Sequence, residues 1–209
     1  MSDAKCKVCR RAGEKLFLKG DKCFTPKCTF EKKPSPPGKP LNERKHRSNV
    51  SEFGTQLREK QKIRNVYGVS EKQFSRYVKE ATTRKGANPV ERLFENLESR
   101  LDNTIFRLGF AHSRTQARQI VSHGHITVNG KKIDVPSYRV TQTDIVKIRD
   151  GSMKITLFSD LDAKIKKQSL PNWLRFDPVS LEARFTGIPK YEKGETGFNY
   201  QAVIEFYSR

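Results

Sequence analysis

The chain has 209 residues, with 42 Lys and Arg against 23 Asp and Glu and a formal net charge of +19. Such an excess opposes compaction by self-repulsion and calls for an anionic partner, either a phosphate backbone or an anionic membrane surface. A mean hydropathy of −0.76, with no apolar run near the roughly 20 residues of a bilayer span, disfavours the membrane and leaves nucleic acid.

The first residues, MSDAKCKVCRR, lack the apolar core of a signal peptide. A cytosolic setting with reduced cysteines is therefore expected. Cys6, Cys9, Cys23 and Cys28 are the only cysteines, spaced C-x2-C-x13-C-x4-C. Two thiolates two residues apart bend the backbone into a knuckle facing one ion, and a second pair completes a tetrahedron. This segment has too few large apolar residues to fold by burial alone, so a metal staple would contribute most here. One Zn2+ is the default, and four thiolates also suit an iron–sulfur cluster. Two disulfides or four unrelated thiols are the alternatives; a reducing compartment and the clustering of all four cysteines weigh against them. Pro34, Pro36, Pro37 and Pro40 exclude helix and favour an extended polyproline path.

Helices follow. Ser51 caps a helix running to Tyr67, with Phe53, Leu57, Ile63 and Tyr67 on one side and Gly68 as its stop. Ser70 and Gln73 form a capping box for the next, striped by Phe74, Tyr77, Val78 and Ala81 and ended by Gly86. Asn88 and Pro89 open a third, whose stripe Val90, Leu93, Leu97, Leu101, Ile105, Leu108 reads as one helix up to Gly109. Ser113 and Gln116 make another capping box, and Gly124 ends the helix they start. Ile126 and Val128 alternate as in a strand, and Asn129-Gly130 is a strong hairpin signal. Tyr138–Val140 and Ile145–Ile148 read as short strands around the TQTD turn. Residues 153–167 have mixed signals and lean to helix, and the aromatic tail reads as extended.

Arg114 and Arg118 share a helix face at i, i+4, and arginine's planar fork suits phosphate. His123, His125, Asn129, Lys131 and Lys132 extend this patch, Ser113 and Gln116 begin it, and Arg100 and Arg107 border it. Arg58, Lys60, Lys62 and Arg64, with Arg10 and Arg11, are further candidate RNA contacts. An A-form helix hides its base edges, so a rigid basic surface reading phosphates and 2′-hydroxyls fits RNA. The bland alternative is a solvated charged face, which a chain at +19 makes poor for the whole cluster. His123 and His125 either only shape the turn or add to the patch; a metal role is given little weight.

RLDNTIFRLGFAHSRTQARQIVSHGHITVNG (100–130) closely resembles the bacterial small-subunit ribosomal protein four family. FGTQLREKQKIRNVYGVSEKQF (53–74) and the ending VIEFYSR (203–209) resemble its helical domain and C-terminus, and CKVCRRAGEKLFLKGDKCFTPKC its metal-bearing arm. The resemblance implies a primary small-subunit ribosomal RNA binder that organises a helix junction of the five-prime domain early in assembly. It further implies neighbours in ribosomal proteins five and three, nearby messenger RNA, an influence on decoding accuracy, and in some members repression of their own messenger.

The same module is fused to pseudouridine synthases, whose catalytic aspartate sits in an R-L-D triplet such as Arg100-Leu101-Asp102. Nothing outside the recognised parts supplies a synthase's catalytic sheet, and no phosphate-cradling or nucleophile-elbow motif is present. Asp102 is expected instead as a helix-surface group that orients an arginine or is plainly solvated. A non-ribosomal zinc-containing RNA-binding regulator, or an RNA-modifying enzyme of the same module family, is the alternative reading. The expected fold is mostly helical with a small antiparallel sheet (α+β): a four-cysteine metal arm and linker at 1–48, a helical domain at 49–87 with part of the tail packed back on it, an RNA-binding module at 88–167, and an extended tail at 168–209. No membrane association and no self-association are expected.

Overall fold

The structure, a computed structural model, describes residues 2–38, 50–83, 86, 88–158, 165, 170–178, 180–192, 194 and 197–209. The chain divides into two compact units, Met1–Val90 with Glu192–Arg209, and Glu91–Tyr191. The first is helical and the second α+β, its strands belonging to one five-stranded antiparallel sheet.

The first unit begins with α1 (Ser2–Ala12), a 3-10 turn (Gly20–Phe24) and the single turn α2 (Thr29–Lys32). Cys6 and Cys9 lie one turn apart on α1, not on the non-helical knuckle their spacing suggests. Nothing between Ser2 and Ala12 breaks a helix; Gly13, at φ 81, ends it. The described part of the proline-rich segment, 33–38, is non-helical as expected, and the remainder through 49 lies outside the described residues.

α3 (Glu52–Tyr67) and α4 (Glu71–Thr83) start where the caps predict. Ser51 Oγ accepts the Gly54 N–H at 3.2 Å, and Ser70 Oγ accepts the Gln73 N–H at 3.3 Å. Gly68, left-handed at φ 64, closes α3. The buried face of α3 is rotated from the expected one: Gln56, Lys60, Ile63, Val66 and Tyr67 are inside, whereas Phe53 is exposed. The cause is the last helix, α8 (Tyr200–Tyr207), which packs on α3 and α4. The tail's end is thus helical rather than extended. Asn199 caps it through the Ala202 N–H at 3.0 Å, and tertiary packing overrides the strand preference of its β-branched and aromatic residues.

Lys60 is drawn inward by that packing. Its Nζ sits 2.7 Å from Glu71 Oε1 and 4.7 Å from the Phe206 ring centre. Tyr207 donates its hydroxyl to the same Glu71 oxygen at 2.6 Å, and burial followed by that bond holds its proton on well above the usual phenol range.

The second unit holds most of α5 (Pro89–Glu98), then α6 (Leu101–Arg107) and α7 (Arg114–Ser122), and the strands β1 (Ile126–Val128), β2 (Lys131–Ile133), β3 (Ile145–Ile148), β4 (Leu174–Asp177) and β5 (Glu182–Phe185), ordered β2-β1-β3-β5-β4. The single helix expected from Asn88 to Leu108 is two. Arg100 is extended (φ −67, ψ 137), and the opened backbone bonds to a neighbouring segment: Leu101 N–H to the Tyr138 carbonyl, Asp102 N–H to that of Pro136, and Val140 N–H to that of Ser99. Leu97, Leu101, Ile105 and Leu108 are all fully buried on both sides of the break, so the stripe gives no sign of it.

Tyr138–Val140 consequently forms one isolated bridge, Arg100 to Arg139, rather than a strand. Thr156–Phe158 is a 3-10 turn where a helix was expected, and most of 159–169 lies outside the described residues. The tail supplies β4 and β5, with Val146 opposite Ala183 in the β3–β5 pairing. Each fully buried Leu, Ile or Phe of this core contributes about 1.5–3 kcal/mol.

Arg100 and Asp102 are themselves in the core, with side chains 1% and 5% exposed. Nε and Nη2 of Arg100 donate to the two Asp102 oxygens at 2.9 and 2.5 Å. Removing one member leaves the other charge buried and unpaired. Asp102→Ala is therefore expected to lower the second unit's stability by about 3–5 kcal/mol in urea unfolding; a loss below about 1 kcal/mol would overturn this role.

Candidate nucleic-acid interface

α7 is set in place by its first residues. Ser113 Oγ accepts the Gln116 N–H at 3.3 Å, and Gln116 Oε1 reaches back to the His112 N–H at 2.9 Å. Ser113 and Gln116, both candidates for RNA contact, thus each give a side-chain oxygen to capping. α7 then packs against α6.

Buried polar residues of α5 and α6 brace the arginines. Glu98, 1% exposed, accepts Nε and Nη2 of Arg107, each at 2.9 Å, and Nδ2 of Asn103 at 2.8 Å. Asn103 in turn accepts Arg114 Nε at 2.8 Å, and the Arg114 guanidinium lies 4.5 Å above the Phe106 ring centre. Asp102, besides holding Arg100, lies 3.4 Å from Arg118 Nε. Arg107, Arg114 and Arg118 are each partly exposed, so three guanidiniums are oriented from beneath while keeping an outer edge in solvent. Arg107 is gripped at two points by Glu98, Arg114 at one by the Asn103 amide and Arg118 at one by Asp102. This fixes each guanidinium, a group whose planar fork suits phosphate. Arg100 is the exception, buried with its charge met internally. Asp102 does orient arginines, but from the interior rather than the helix surface.

The hairpin adjoins this helix. Asn129 and Gly130 both have positive φ, 50 and 76, as a two-residue turn of the mirror-image type requires. The Asn129 amide is used internally, donating to Asp144 Oδ1 at 2.7 Å and accepting the Ile145 N–H at 2.9 Å. Lys131 and Lys132 are exposed. Gly124, left-handed at φ 71, ends α7, and a Cβ there would stand 2.1 Å from Lys132 Cε. The lysine stem thus crosses the glycine and carries its ammonium to the helix end.

There it meets His123 and His125. His125 Nδ1 lies 3.0 Å from Ser152 Oγ. Burial, then the charges of His123, Arg149 and Lys132, lower its pKa. At neutral pH it is an uncharged hydrogen-bonding group rather than a fixed cation. A lowered folded pKa means its contribution to stability is present above the free histidine value and is lost as pH falls through the folded one.

A groove of about 540 Å³ runs beside the hairpin, lined among others by Thr127, Lys132, Lys147 and Arg149. Lys147 and Arg149 were not among the sequence candidates. β3 carries the signal for them: Val146 and Ile148 are buried, which puts 147 and 149 on the opposite face.

In the first unit, Arg11, Arg58, Lys62 and Arg64 line a cleft of about 590 Å³ floored by Val8, Ala12 and Leu57. Arg11 and Arg58 are exposed. Lys62 is shared by Glu59 at 2.7 Å and Glu14 at 3.1 Å, and Arg64 pairs with Glu71 at 3.1 Å. Arg10 donates from Nε to the Ser35 carbonyl at 2.7 Å, tying α1 to the proline-rich segment. Lys60 is inside, as described, and does not belong to this surface.

Cys9, Cys23 and Cys28 are buried and Cys6 is half-buried, all as free thiols. Burial pushes the Cys9 thiol up, a backbone bond from Leu16 pulls it down, and Cys23, Cys6 and Cys28 add to the rise. The Lys19 N–H donates to Cys23 Sγ at 3.4 Å. Donor type and burial fit a soft metal ion. Among the described residues no three His, Cys, Asp or Glu side chains are grouped as ligands.

Cationic groups braced by buried acids on a small α+β scaffold mark a binder of polyanions. The "Ribosomal protein S4/S9 N-terminal domain" family matches residues 1–98, and the "S4 domain" family residues 99–146. The chain is 44% identical over 206 residues to the small ribosomal subunit protein uS4 of Maridesulfovibrio salexigens, covering 99% of this chain and 97% of that one. It is 46% identical over 206 residues to the protein of that name in Acidothermus cellulolyticus, at the same coverage, and 45% over 204 residues to that of Thermus thermophilus, covering 98% and 96%. The chain belongs to the small ribosomal subunit protein uS4 family.

Arg114→Ala with Arg118→Ala is expected to weaken binding to a small-subunit RNA transcript several-fold in filter binding. Lys131→Ala with Lys132→Ala should also flatten the salt dependence, by about one unit of slope for each phosphate no longer neutralised. Wild-type affinity in both double variants would remove this face from the interface.

Proposed function

We propose that this chain is a structural, non-enzymatic component of the small ribosomal subunit that binds small-subunit ribosomal RNA directly. One observation carries the reading: Glu98, Asp102 and Asn103 spend buried polar groups on presenting Arg107, Arg114 and Arg118. Burying carboxylates is costly, and a merely solvated charged face has no need of it. Full-length identity to proteins named for the small subunit supports the same conclusion. Among the described residues no helix is long and apolar enough to cross a membrane.

The contacts assigned are Arg107, Arg114, Arg118, Lys131 and Lys132, with Lys147 and Arg149 beside the hairpin and Arg11, Arg58, Lys62 and Arg64 in the first unit. His125 joins as a neutral hydrogen-bonding group, with His123 beside it. Two such surfaces on one chain suit a protein that fixes several RNA helices at a junction of the five-prime domain. Ribosomal proteins five and three are the proposed protein neighbours, with messenger RNA close by and decoding accuracy the property affected. The RNA-modifying alternative loses its catalytic candidate, because both Asp102 oxygens are committed to buried Arg100. The setting is the cytoplasmic ribosome.

The four cysteines are proposed to take up one metal ion, Zn2+ in the first instance, on the strength of their thiol donors, their burial and the electrostatic influence of the other three on Cys9. When bound, the ion would supply a cross-link between α1 and the 23–28 loop, and Cys6, Cys9, Cys23 and Cys28 would hold it. The test is metal analysis of protein purified without oxygen, combined with hydrogen exchange after chelation. One equivalent of zinc, or of iron as a cluster, and loss of protection confined to residues 1–30 are expected. Neither metal, or loss of protection throughout the chain, would refute the assignment.

Sucrose-gradient sedimentation tests the ribosomal reading. The protein is expected to travel with the small subunit through a moderate-salt wash; free sedimentation at the top of the gradient would favour the non-ribosomal regulator.

A further inference from the structure

The arm that carries the cysteines also displays two aromatic rings to solvent. Phe24 is 72% exposed, more than any other large apolar side chain among the described residues, and Phe17 is 46% exposed. They are not scattered. Their ring centres are 4.9 Å apart at an interplanar angle of 26°, a stacked pair. The residues just before each are buried, Leu16 at 6% and Cys23 at 7%, so the chain anchors itself on one position and turns the next outward, twice. Phe17 does so at φ 50, a left-handed conformation that a bulky residue adopts only when its surroundings impose it. The turn after Phe24 is held shut by the Thr25 hydroxyl, which donates to the Lys22 carbonyl at 3.0 Å.

The setting is cationic. Lys15 Nζ lies 5.8 Å from the Phe17 ring centre and is paired with Glu31, while Lys22 and Lys27 are exposed on the same loop, beside Asp21. Lysine is depleted where proteins meet proteins, whereas lysines around exposed rings are what single-stranded nucleic acid takes, phosphates on the cations and a base on the ring. A paired base keeps both faces inside its own stack and cannot use such a platform. We infer that the Phe17–Phe24 pair is a stacking platform for an unpaired RNA base, with Lys22 and Lys27 serving its flanking phosphates. The inference rests on the RNA-binding reading above and adds a contact of a different kind, one that is indifferent to charge.

That difference sets the experiment: equilibrium binding of the full-length protein and its Phe24 variants to a transcript of the small-subunit RNA five-prime domain, across a range of salt. Phe24→Ala should weaken binding at least about five-fold, the lower end for one stacked base. The salt slope should stay at its wild-type value, since every phosphate partner remains in place. Phe24→Trp should restore affinity, while Phe24→Leu, apolar but without a π-face, should not. At 72% exposure none of these changes threatens the fold, and circular dichroism serves as the check. Wild-type affinity for Phe24→Ala, or rescue by Leu equal to that by Trp, overturns the platform and leaves the RNA reading intact. Intact RNA affinity with weakened joining to protein-containing subunit particles assigns the rings to a protein partner and overturns it too. Failure of the wild-type protein to bind the transcript overturns both.

Discussion

A carboxylate removed from water is tolerated only where cations replace the solvation it loses. Asp102, 5% exposed, meets that condition by taking a bidentate grip from Arg100 and a further approach from Arg118. Much of the second unit follows. To reach Asp102, Arg100 must leave the helix, and its departure opens the backbone groups that bond to Pro136, Tyr138 and Val140. That segment leads from the hairpin into β3. One buried ion pair therefore sets the break between α5 and α6, ties the helices to the chain leaving the hairpin, and aims an arginine of α7.

Local chemistry was legible in the sequence. The caps at Ser51, Ser70, Asn88 and Ser113, the stops at Gly68 and Gly124, and the Asn129-Gly130 turn are satisfied by neighbours within a few residues, and each is found where its pattern places it. What escaped depends on partners far along the chain. The stripe from Val90 to Leu108 is continuous, so periodicity could not reveal a break made by residues 136–140. Lys60 and Arg100 carry charge and read as surface; they are buried because Glu71 and Tyr207 in one case and Asp102 in the other complete a paired site. The tail's helix was hidden by aromatic and β-branched content that favours strands until α3 and α4 supply a face to pack on.

The candidate interface divides along the same line. Arg114, Arg118, Lys131 and Lys132 followed from spacing and turn chemistry. The bracing of Arg114 by Asn103 and Phe106, and of Arg118 by Asp102, did not, because a polar residue inside a helical stripe looks like an exposed one. Asn129, Ser113 and Gln116 read as contacts since polar groups near cations suit RNA, and each also gives its side-chain oxygen to a backbone N–H. The candidate surface thus depends on a second layer beneath it, and that layer is the less visible of the two in sequence.

The division of the chain also has a temporal consequence. The first unit is discontinuous: residues up to 90 meet residues from 192 onward, and α8 brings Tyr200 and Val203 into its core and Tyr207 onto Glu71. The second unit is continuous between them. During synthesis, which proceeds from the N-terminus at about 5–20 residues per second, the inserted unit has all of its residues before the one that precedes it. The cationic residues of α7 and the hairpin are therefore all synthesised while the leading helices still await α8.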